Sequence, residues 1–115
     1  MQDWHNWMDG FDAAVTVVDK DLNILYMNDK AMSAFEKYGG KGLIGKNLAG
    51  CHTGRSMEIM KGILETGRAN VYTIDKGGIK ALVYQSTWSV NGSIAGLVEI
   101  AFKIPSELPH HVRDV

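Results

Sequence analysis

Cys51 and His52 are adjacent and stand in a glycine-rich stretch, residues 41–55, so they are the first candidates for chemistry. A thiol beside an imidazole can act as a nucleophile when the base contacts the thiol and a third group orients the base. Neighbouring side chains rarely point toward one another, and no aspartate or asparagine follows at a spacing that would orient His52. The alternative is structural, a small half-buried thiol and a histidine that hydrogen-bonds loop backbone. We favour the structural interpretation.

The other titratable side chains form no acid–base pair in the sequence pattern. The carboxylates are expected at turns or on the outer face of a sheet: Asp12, Asp19, Asp21, Asp75 and Glu99. His110 and His111 follow Pro109 in a predicted solvated tail. No glycine-rich loop opens a helix as a phosphate-binding loop would. The sequence therefore predicts no catalytic residues, no metal site and no enzymatic activity.

Composition limits the class of protein. The chain has 115 residues, 45% hydrophobic and 22% charged, with a formal charge of −1, which is typical of one folded domain and not of a disordered chain. Its basic residues are scattered, so no nucleic-acid or membrane-surface partner is expected. A single cysteine excludes an internal disulfide and a four-thiolate metal site. Without a signal-peptide or membrane-spanning pattern, we expect a cytoplasmic, stand-alone bacterial protein.

The apolar pattern predicts an α+β fold. A β-branched strand and a second short strand lead into a helix that Asn28 caps and Gly39-Gly40 ends. A longer helix is predicted over 56–66 with Ser56 as its cap, and three strands follow over 70–74, 79–90 and 93–104. Asn91-Gly92 is a strong hairpin signal. This order predicts a five-stranded antiparallel sheet with its helices packed on one face.

The chain is expected to divide into an N-terminal helix over 1–12, a domain over 13–104 and a tail over 105–115. Trp4, Trp7, Met8 and Phe11 are spaced i, i+3, i+4 and i+7, which places them on one face of an amphipathic helix. Two tryptophans on a short helix must pack against the sheet or against a second subunit.

Three segments also carry a family resemblance. Val17-Val18-Asp19, Ile24-Leu25-Tyr26 and Asn28, followed by a helix, resemble the opening of a PAS domain. Residues 43–48 resemble the segment that crosses such domains between their early helices and the long one. The resemblance covers about residues 11–104. It implies a sensor domain in which a small ligand or cofactor lies between the inner sheet face and the helices.

The resemblance brings in three cofactor hypotheses. Some PAS domains hold heme through one histidine, which here would be His52, although their histidine stands on the long helix and this helix contains none. The photoactive yellow protein family binds a chromophore through a cysteine, but Met27 and Ala31 replace the expected tyrosine and acidic residue. Flavin binding is not expected, because the Asn-Cys-Arg-Phe motif is absent. The cofactor is therefore left unassigned.

The two sheet faces give two sets of candidate residues. The expected cavity lining comprises Val15, Val17, Met32, Phe35, Cys51, His52, Met60, Ile63, Tyr72, Val98 and Ile100. The expected homodimer surface comprises Trp4, Trp7, Leu82, Tyr84, Trp88, Leu97 and Ala101. The methionine side chains of the cavity lining can adapt to a ligand or fill its place. The residues of the expected homodimer surface are too apolar to be left in water.

The sequence thus predicts a PAS-type sensory domain. It would bind a small ligand or a protein signalling partner, and it would take part in transcriptional or two-component regulation. A ligand-free dimerisation or interaction module is the first alternative. A heme-based gas or redox sensor that uses His52 is the second.

Overall fold

Short hairpins and two helices account for most of the chain, as the computed structural model shows for residues 3–50 and 53–114. The strands are β1 (Ala14–Asp19), β2 (Ile24–Met27), β3 (Asn70–Lys76), β4 (Ile79–Val90) and β5 (Ser93–Ile104). The helices are α1 (Asp29–Ala34) and α2 (Gly54–Thr66). Turns of 3-10 helix occur at Trp4–Asn6, Glu36–Tyr38, Gly40–Leu43 and Leu48–Gly50.

The five strands form one antiparallel sheet in the order β2-β1-β5-β4-β3. Asn91 and Gly92, with φ of 51° and 81°, make the tight turn between β4 and β5. Two consecutive residues with positive φ match the right-handed twist of the flanking strands, which is why this dipeptide favours a hairpin. The predicted α+β architecture, with its five-stranded antiparallel sheet, is confirmed.

A β-bulge near the β4–β5 turn decides which side chains share a face. Ser89 pairs with Ile94, but Trp88 pairs with Gly96, so one extra residue of β5, Ala95, lies between the two pairs. From there on Tyr84 lies opposite Ile100, and not opposite Glu99 as an unbulged two-residue hairpin would place it. Because side chains alternate along a strand, a one-residue shift exchanges the faces of one strand relative to the other.

The two faces follow from this register. The inner sheet face, which the helices cover, carries Thr16, Val18, Val83, Gln85, Leu97 and Glu99. The outer sheet face carries Val15, Val17, Leu82, Tyr84, Trp88, Val98, Ile100 and Phe102.

The hydrophobic core lies between the inner sheet face and the helices. Its buried members come from the first two strands, the helical crossing, α2 and β5: Val18, Leu22, Ile24, Met27, Ala31, Leu43, Leu48, Met60, Ile63 and Leu97. Helix α2 begins one residue after Thr53, whose hydroxyl accepts from the Ser56 backbone N–H, and it ends at Gly67 with φ of 73°. The predicted cap at Ser56 is therefore wrong by three residues, whereas the stop at Gly67 is correct.

Asn28 is the polar centre of the fold and is completely buried. Its Oδ1 accepts from the backbone N–H of Val15 at 2.9 Å and of Ala31 at 3.0 Å, and the second contact caps α1 as predicted. Its Nδ2 donates to the carbonyls of Ala13 at 2.7 Å and Met8 at 2.9 Å. One amide therefore joins the N-terminal segment (residues 3–13), β1 and α1.

The N-terminal segment is less helical than predicted. Its helical part is the single 3-10 turn Trp4–Asn6, capped by Asp3. The carbonyls of Met8 and Asp9 accept from Asn28 Nδ2 and from the Asp29 backbone N–H. These tertiary contacts fix the segment beside Asn28, and an amphipathic helix over 1–12 does not form.

Candidate functional site

A cleft of about 490 Å³ opens between the inner sheet face, the C-terminal end of α1 and helix α2. We call it the sheet–helix cleft. Its lining combines apolar and polar side chains: Phe35, Ser56, Ile59, Met60, Asn70, Tyr72, Gln85 and Glu99. A cavity of this size is within the range that small-molecule sites occupy in proteins.

Helix α2 forms one wall of the cleft because its apolar residues are spaced three and four apart. Met60 and Ile63 are buried toward the core, whereas Ile59 is 38% exposed at the edge of the cleft. Strand β3 forms the opposite rim and is an edge strand, so Tyr72 remains 41% exposed. The cleft is therefore open to solvent between α2 and β3.

A polar row crosses the floor of the cleft. It consists of Thr16, Glu99, Gln85 and Asn70, which lie side by side on β1, β5, β4 and β3. Glu99, Gln85 and Asn70 line the cleft, and Thr16 extends the row beyond the cleft lining. Asn70 Nδ2 donates to Gln85 Oε1 at 2.9 Å, and Gln85 Nε2 donates to Glu99 Oε2 at 3.4 Å. Both hydrogen bonds therefore have the same direction, with the donor on the side of β3 and the acceptor on the side of Glu99.

Gln85 and Glu99 also connect the cleft to a smaller cavity. The smaller cavity has a volume of about 40 Å³ and shares Phe35, Gln85 and Glu99 with the cleft. Its other walls include Val18, Leu43 and Leu97. A cavity of that volume can hold a water molecule beside the polar row but no larger ligand.

The surroundings of the cleft raise the pKa of Tyr72, the one tyrosine among its described lining residues. Partial burial raises the pKa of Tyr72 above its ordinary value of 10.0, and the negative charge of Glu99 raises this pKa further. Both effects disfavour the phenolate. Tyr72 is therefore a neutral hydroxyl at the rim of the cleft at physiological pH.

The structure separates the residues predicted to line a cavity. Phe35, Met60 and Tyr72 meet in the sheet–helix cleft. Met32 and Ile63 pack in or against the core beside it. Cys51 and His52 lie outside the described residues.

Four of the predicted lining residues lie on the wrong side of the sheet. Val15 pairs with Ile100 and Val17 pairs with Val98, which places all four on the outer sheet face, away from the core residues Val18 and Leu97. Val98 also borders the smaller cavity, although its register with Val17 is that of the outer face. The expected inward orientation of Val15, Val17 and Ile100 was wrong.

The predicted dimer surface also needs two corrections. Leu82, Tyr84 and Trp88 lie on the outer sheet face, and Trp4 and Trp7 are 72% and 56% exposed in the N-terminal segment. Leu97, however, is a buried core residue, and Ala101 pairs with Ala14 and Val83 on the inner face. Both belong to the side of the sheet opposite Tyr84 because of the bulge at Ala95.

Sequence reasoning missed the polar residues of the cleft. Glu99 was expected on the outer sheet face, but it lies on the inner face opposite Thr16 and Gln85. The available signal was the alternation Val83-Gln85 and Leu97-Glu99-Ala101, in which a polar residue interrupts an apolar face. Within the described ranges, no group of three His, Cys, Asp or Glu side chains is placed to hold a metal ion.

Trp88 connects the outer sheet face to the strand that lines the core. Its indole Nε1 donates to the Val18 carbonyl at 3.0 Å across the intervening strand. Gly96 lies beneath this contact, since a Cβ atom there would lie 2.8 Å from Trp88 Nε1 and 1.9 Å from the Val18 oxygen. Val18 in turn borders the smaller cavity.

No family model matches the chain. No curated protein matches it either. Similarity to solved structures is extensive in fold and low in sequence. The PAS domain of histidine kinase ThkA matches with a TM-score of 0.65 and 14% identity, over 80% of this chain and 99% of that one.

Two further structures come from Vibrio cholerae. The Aer2 receptor, described as a dual PAS-heme oxygen sensor, matches with a TM-score of 0.60 and 17% identity over 81% of this chain and 95% of that one. The LuxR-type receptor VqmA bound to DPO matches with a TM-score of 0.64 and 14% identity, over 87% of this chain and 56% of that one. No helix in the described ranges is long and apolar enough to cross a membrane.

Proposed function

We propose that this chain, which has the PAS-domain fold, is a sensory domain that binds a small molecule in the sheet–helix cleft and signals through its outer sheet face. The observation that carries the proposal is the polar row on the cleft floor. Gln85, with 9% of its surface exposed, and Glu99 occupy central strands of the inner face, among core residues such as Val83 and Leu97. Such polar groups are unfavourable in a core that only has to be filled, and they are useful where a ligand must be oriented.

The similar structures support a sensory role. Among them are a PAS domain of a histidine kinase and a receptor with bound DPO. We carry over from them a role in transcriptional or two-component regulation, exercised in the cytoplasm. The signal of this chain would reach a protein partner and not DNA directly, because its 12 basic residues are scattered along the sequence and are balanced by 13 acidic ones.

The output surface of this proposal is the outer sheet face, used by a second copy of the chain. Tyr84 is 41% exposed and Phe102 is 37% exposed on this face, and the exposed Trp4 and Trp7 belong to the adjoining N-terminal segment. Aromatic side chains of this kind are enriched at protein interfaces. Trp88 links this surface to Val18, which gives a route from the cavity wall to the dimer surface.

A ligand-free interaction module is the second candidate. The small volume of the second cavity, about 40 Å³, favours it, because the core beneath the helical crossing is already filled by the chain's own side chains. In that case the open cleft would be a surface groove without a dedicated ligand.

The heme hypothesis rests on His52 alone. The described lining of the cleft contains no histidine, cysteine or lysine, and Met60 is its one sulfur-containing side chain. Tyr72, also in this lining, is like Met60 of a residue type that can ligate heme iron, but neither side chain supplies the histidine on which the hypothesis depends. We therefore rank a heme-based sensor below both other candidates.

Native mass spectrometry tests the ligand directly. The purified protein is incubated with a low-molecular-mass extract of bacterial cells, desalted, and compared with the same sample under denaturing conditions. Ile59→Trp places a large ring at the edge of the cleft and is expected to abolish the adduct. Lys61→Trp adds the same ring at an exposed position of α2 outside the cleft lining and is expected to retain it.

An adduct that both variants retain would place the ligand elsewhere. Protein that folds well and captures nothing would favour the interaction module. Absorbance in the Soret region of the purified protein decides the heme hypothesis separately.

Sedimentation velocity tests the homodimer. Tyr84→Arg introduces a charge on the outer sheet face and is expected to convert dimer to monomer. Tyr38→Arg makes the same exchange at a 65% exposed position on the helical side and is the matched control. Weak association becomes visible at concentrations on the order of 1 mM. If the wild-type protein is still monomeric at that concentration, the homodimer is removed from the proposal.

A further inference from the structure

The charge of the sheet–helix cleft comes from one side chain. Of the described residues that line it, Glu99 alone has an acidic side chain, and the lining contains no lysine or arginine. The ion pairs found in the described ranges are His5–Asp3 and Lys30–Asp12, so Glu99 has no cationic partner in the part of the chain that the structure describes. An unbalanced carboxylate on the floor of a half-enclosed cleft repels anions and attracts cations.

Glu99 is also positioned to accept a further hydrogen bond. Within residues 3–50 and 53–114 its carboxylate accepts one hydrogen bond, from Gln85 Nε2 at 3.4 Å. An ionised carboxylate has about four acceptor positions, so acceptor capacity remains. Gln85 Oε1 already accepts from Asn70 Nδ2. The carboxylate of Glu99 is therefore the strongest acceptor that the row offers to a hydrogen-bond donor of a ligand.

The position of Glu99 is rigid. It stands in the middle of β5, between Thr16 on β1 and Gln85 on β4. Both neighbouring strands pair continuously with β5 on either side of Glu99. A side chain on a central strand has less freedom than one on a loop, which lowers the entropy lost when a ligand is oriented.

The rest of the cleft suits an apolar body. Phe35, Ile59 and Met60 supply ring, branched and flexible surface on the side of the helices. Tyr72 adds no second negative charge, because partial burial and the charge of Glu99 raise its pKa.

We infer that the sheet–helix cleft selects a small ligand with an apolar body and a cationic nitrogen, and that the nitrogen donates hydrogen bonds to Glu99. This inference rests on the proposed ligand-binding function and specifies the chemical class of the ligand. Amines, amidines and protonated nitrogen heterocycles belong to this class. Carboxylates and phosphates are excluded from it, since the described lining offers them no cation.

Three probes with one common body test the inference: phenethylamine as the cation, 2-phenylethanol as the neutral analogue and phenylacetate as the anion. Each is titrated into the full chain, and the amide NMR shifts of Met60, Tyr72 and Gln85 are followed. The expected result is that the amine binds about tenfold more tightly than the alcohol and that the anion binds weakest, as for a charge-assisted hydrogen bond. Raising the salt concentration should weaken only the amine.

Glu99→Gln is the decisive variant, because it keeps the shape of the side chain and removes its charge. It is expected to bind all three probes with similar affinity. Glu107→Gln, in the exposed segment after β5, removes one negative charge far from the cleft lining and should leave the preference for the amine unchanged. If Glu99→Gln does not fold, the salt dependence of the wild-type titrations decides.

The outcomes separate the inference from the function on which it rests. Binding of all three probes at the cleft without preference, or a preference for the anion, overturns the cationic class and leaves a ligand-binding cleft in place. A preference for the amine that Glu99→Gln retains also overturns it. Failure of every probe to move the cleft resonances overturns the inference and counts against the ligand-binding function as well.

Discussion

Replacing Asn28 by alanine should remove a large part of the stability of this domain. The buried amide makes four hydrogen bonds, to the backbone of Met8, Ala13, Val15 and Ala31. Its loss would leave the N–H groups of Val15 and Ala31 and the carbonyl of Ala13 without this partner, while the Met8 carbonyl keeps its contact with Phe11. At roughly 1–2 kcal/mol for each buried group left unpaired, the expected loss is about 4 kcal/mol.

Urea denaturation followed by circular dichroism measures this loss. With an m-value of about 2 kcal/mol per M, the midpoint should fall by about 2 M. Asn6→Ala, at an exposed position of the N-terminal segment, should change the stability by less than about 0.5 kcal/mol. Asn28→Asp keeps the size and the acceptor but loses both N–H donors, and should also be strongly destabilised.

The reasoning would be refuted by a loss below about 1 kcal/mol for Asn28→Ala. Such a result would mean that water or a backbone shift replaces the network at little cost. It would also remove the argument that this amide fixes the N-terminal segment beside β1.

Three further predictions concern the outer sheet face and the N-terminal segment. Gly96→Ala should cost about 3 kcal/mol or more in urea denaturation, because the new Cβ would lie 1.9 Å from the Val18 oxygen; unchanged stability would contradict the close approach of β1 and β5. Trp88→Phe loses the hydrogen bond to Val18 and should cost about 1 kcal/mol, whereas Trp7→Phe at a 56% exposed position should be nearly neutral. Burial, and then the hydrogen bond to Asp9, raise the pKa of Tyr26 to about 12, so its contribution to stability is complete below pH 10 and is lost as the pH rises through 12. Absorbance titration of the phenolate band should show one tyrosine that titrates near pH 12, and Tyr26→Phe should remove that step. If the titration curve of Tyr26→Phe equals that of the wild type, the raised pKa does not belong to Tyr26.

Local signals predicted the order of elements well. Asn28 caps α1, Asn91-Gly92 turns β4 into β5, and Gly67 ends α2, because each depends on the conformational preference of one or two residues. The resulting order of strands and helices was enough to predict the fold.

The face of each strand could not be predicted in the same way. Counting back from a two-residue turn places Tyr84 opposite Glu99 and Leu82 opposite Ala101, and Leu97 and Ala101 would then share the outer surface with Tyr84. The bulge at Ala95 shifts this register by one residue. The local signal was Gly96, because a glycine inside a strand often marks a bulge, and the indole of Trp88 contacts β1 across it.

The N-terminal helix was wrong for a related reason. The spacing of Trp4, Trp7, Met8 and Phe11 is helical, but the backbone of Met8 and Asp9 is used by Asn28 and Asp29. A tertiary hydrogen bond to a distant amide outweighs the propensity of a short segment, and no pattern within that segment reports it.

Methyl NMR of methionine-labelled protein tests the central claim, that a small ligand occupies the sheet–helix cleft. Met60 lines the cleft, whereas Met8 belongs to the N-terminal segment, where its carbonyl accepts a hydrogen bond from Asn28, and it is not among the residues that line the cleft. On addition of a captured ligand, or of phenethylamine, we expect the Met60 methyl resonance to shift most and Met8 to remain unchanged. A shift at Met8 with an unchanged Met60 would contradict the assignment of the cleft as the binding site.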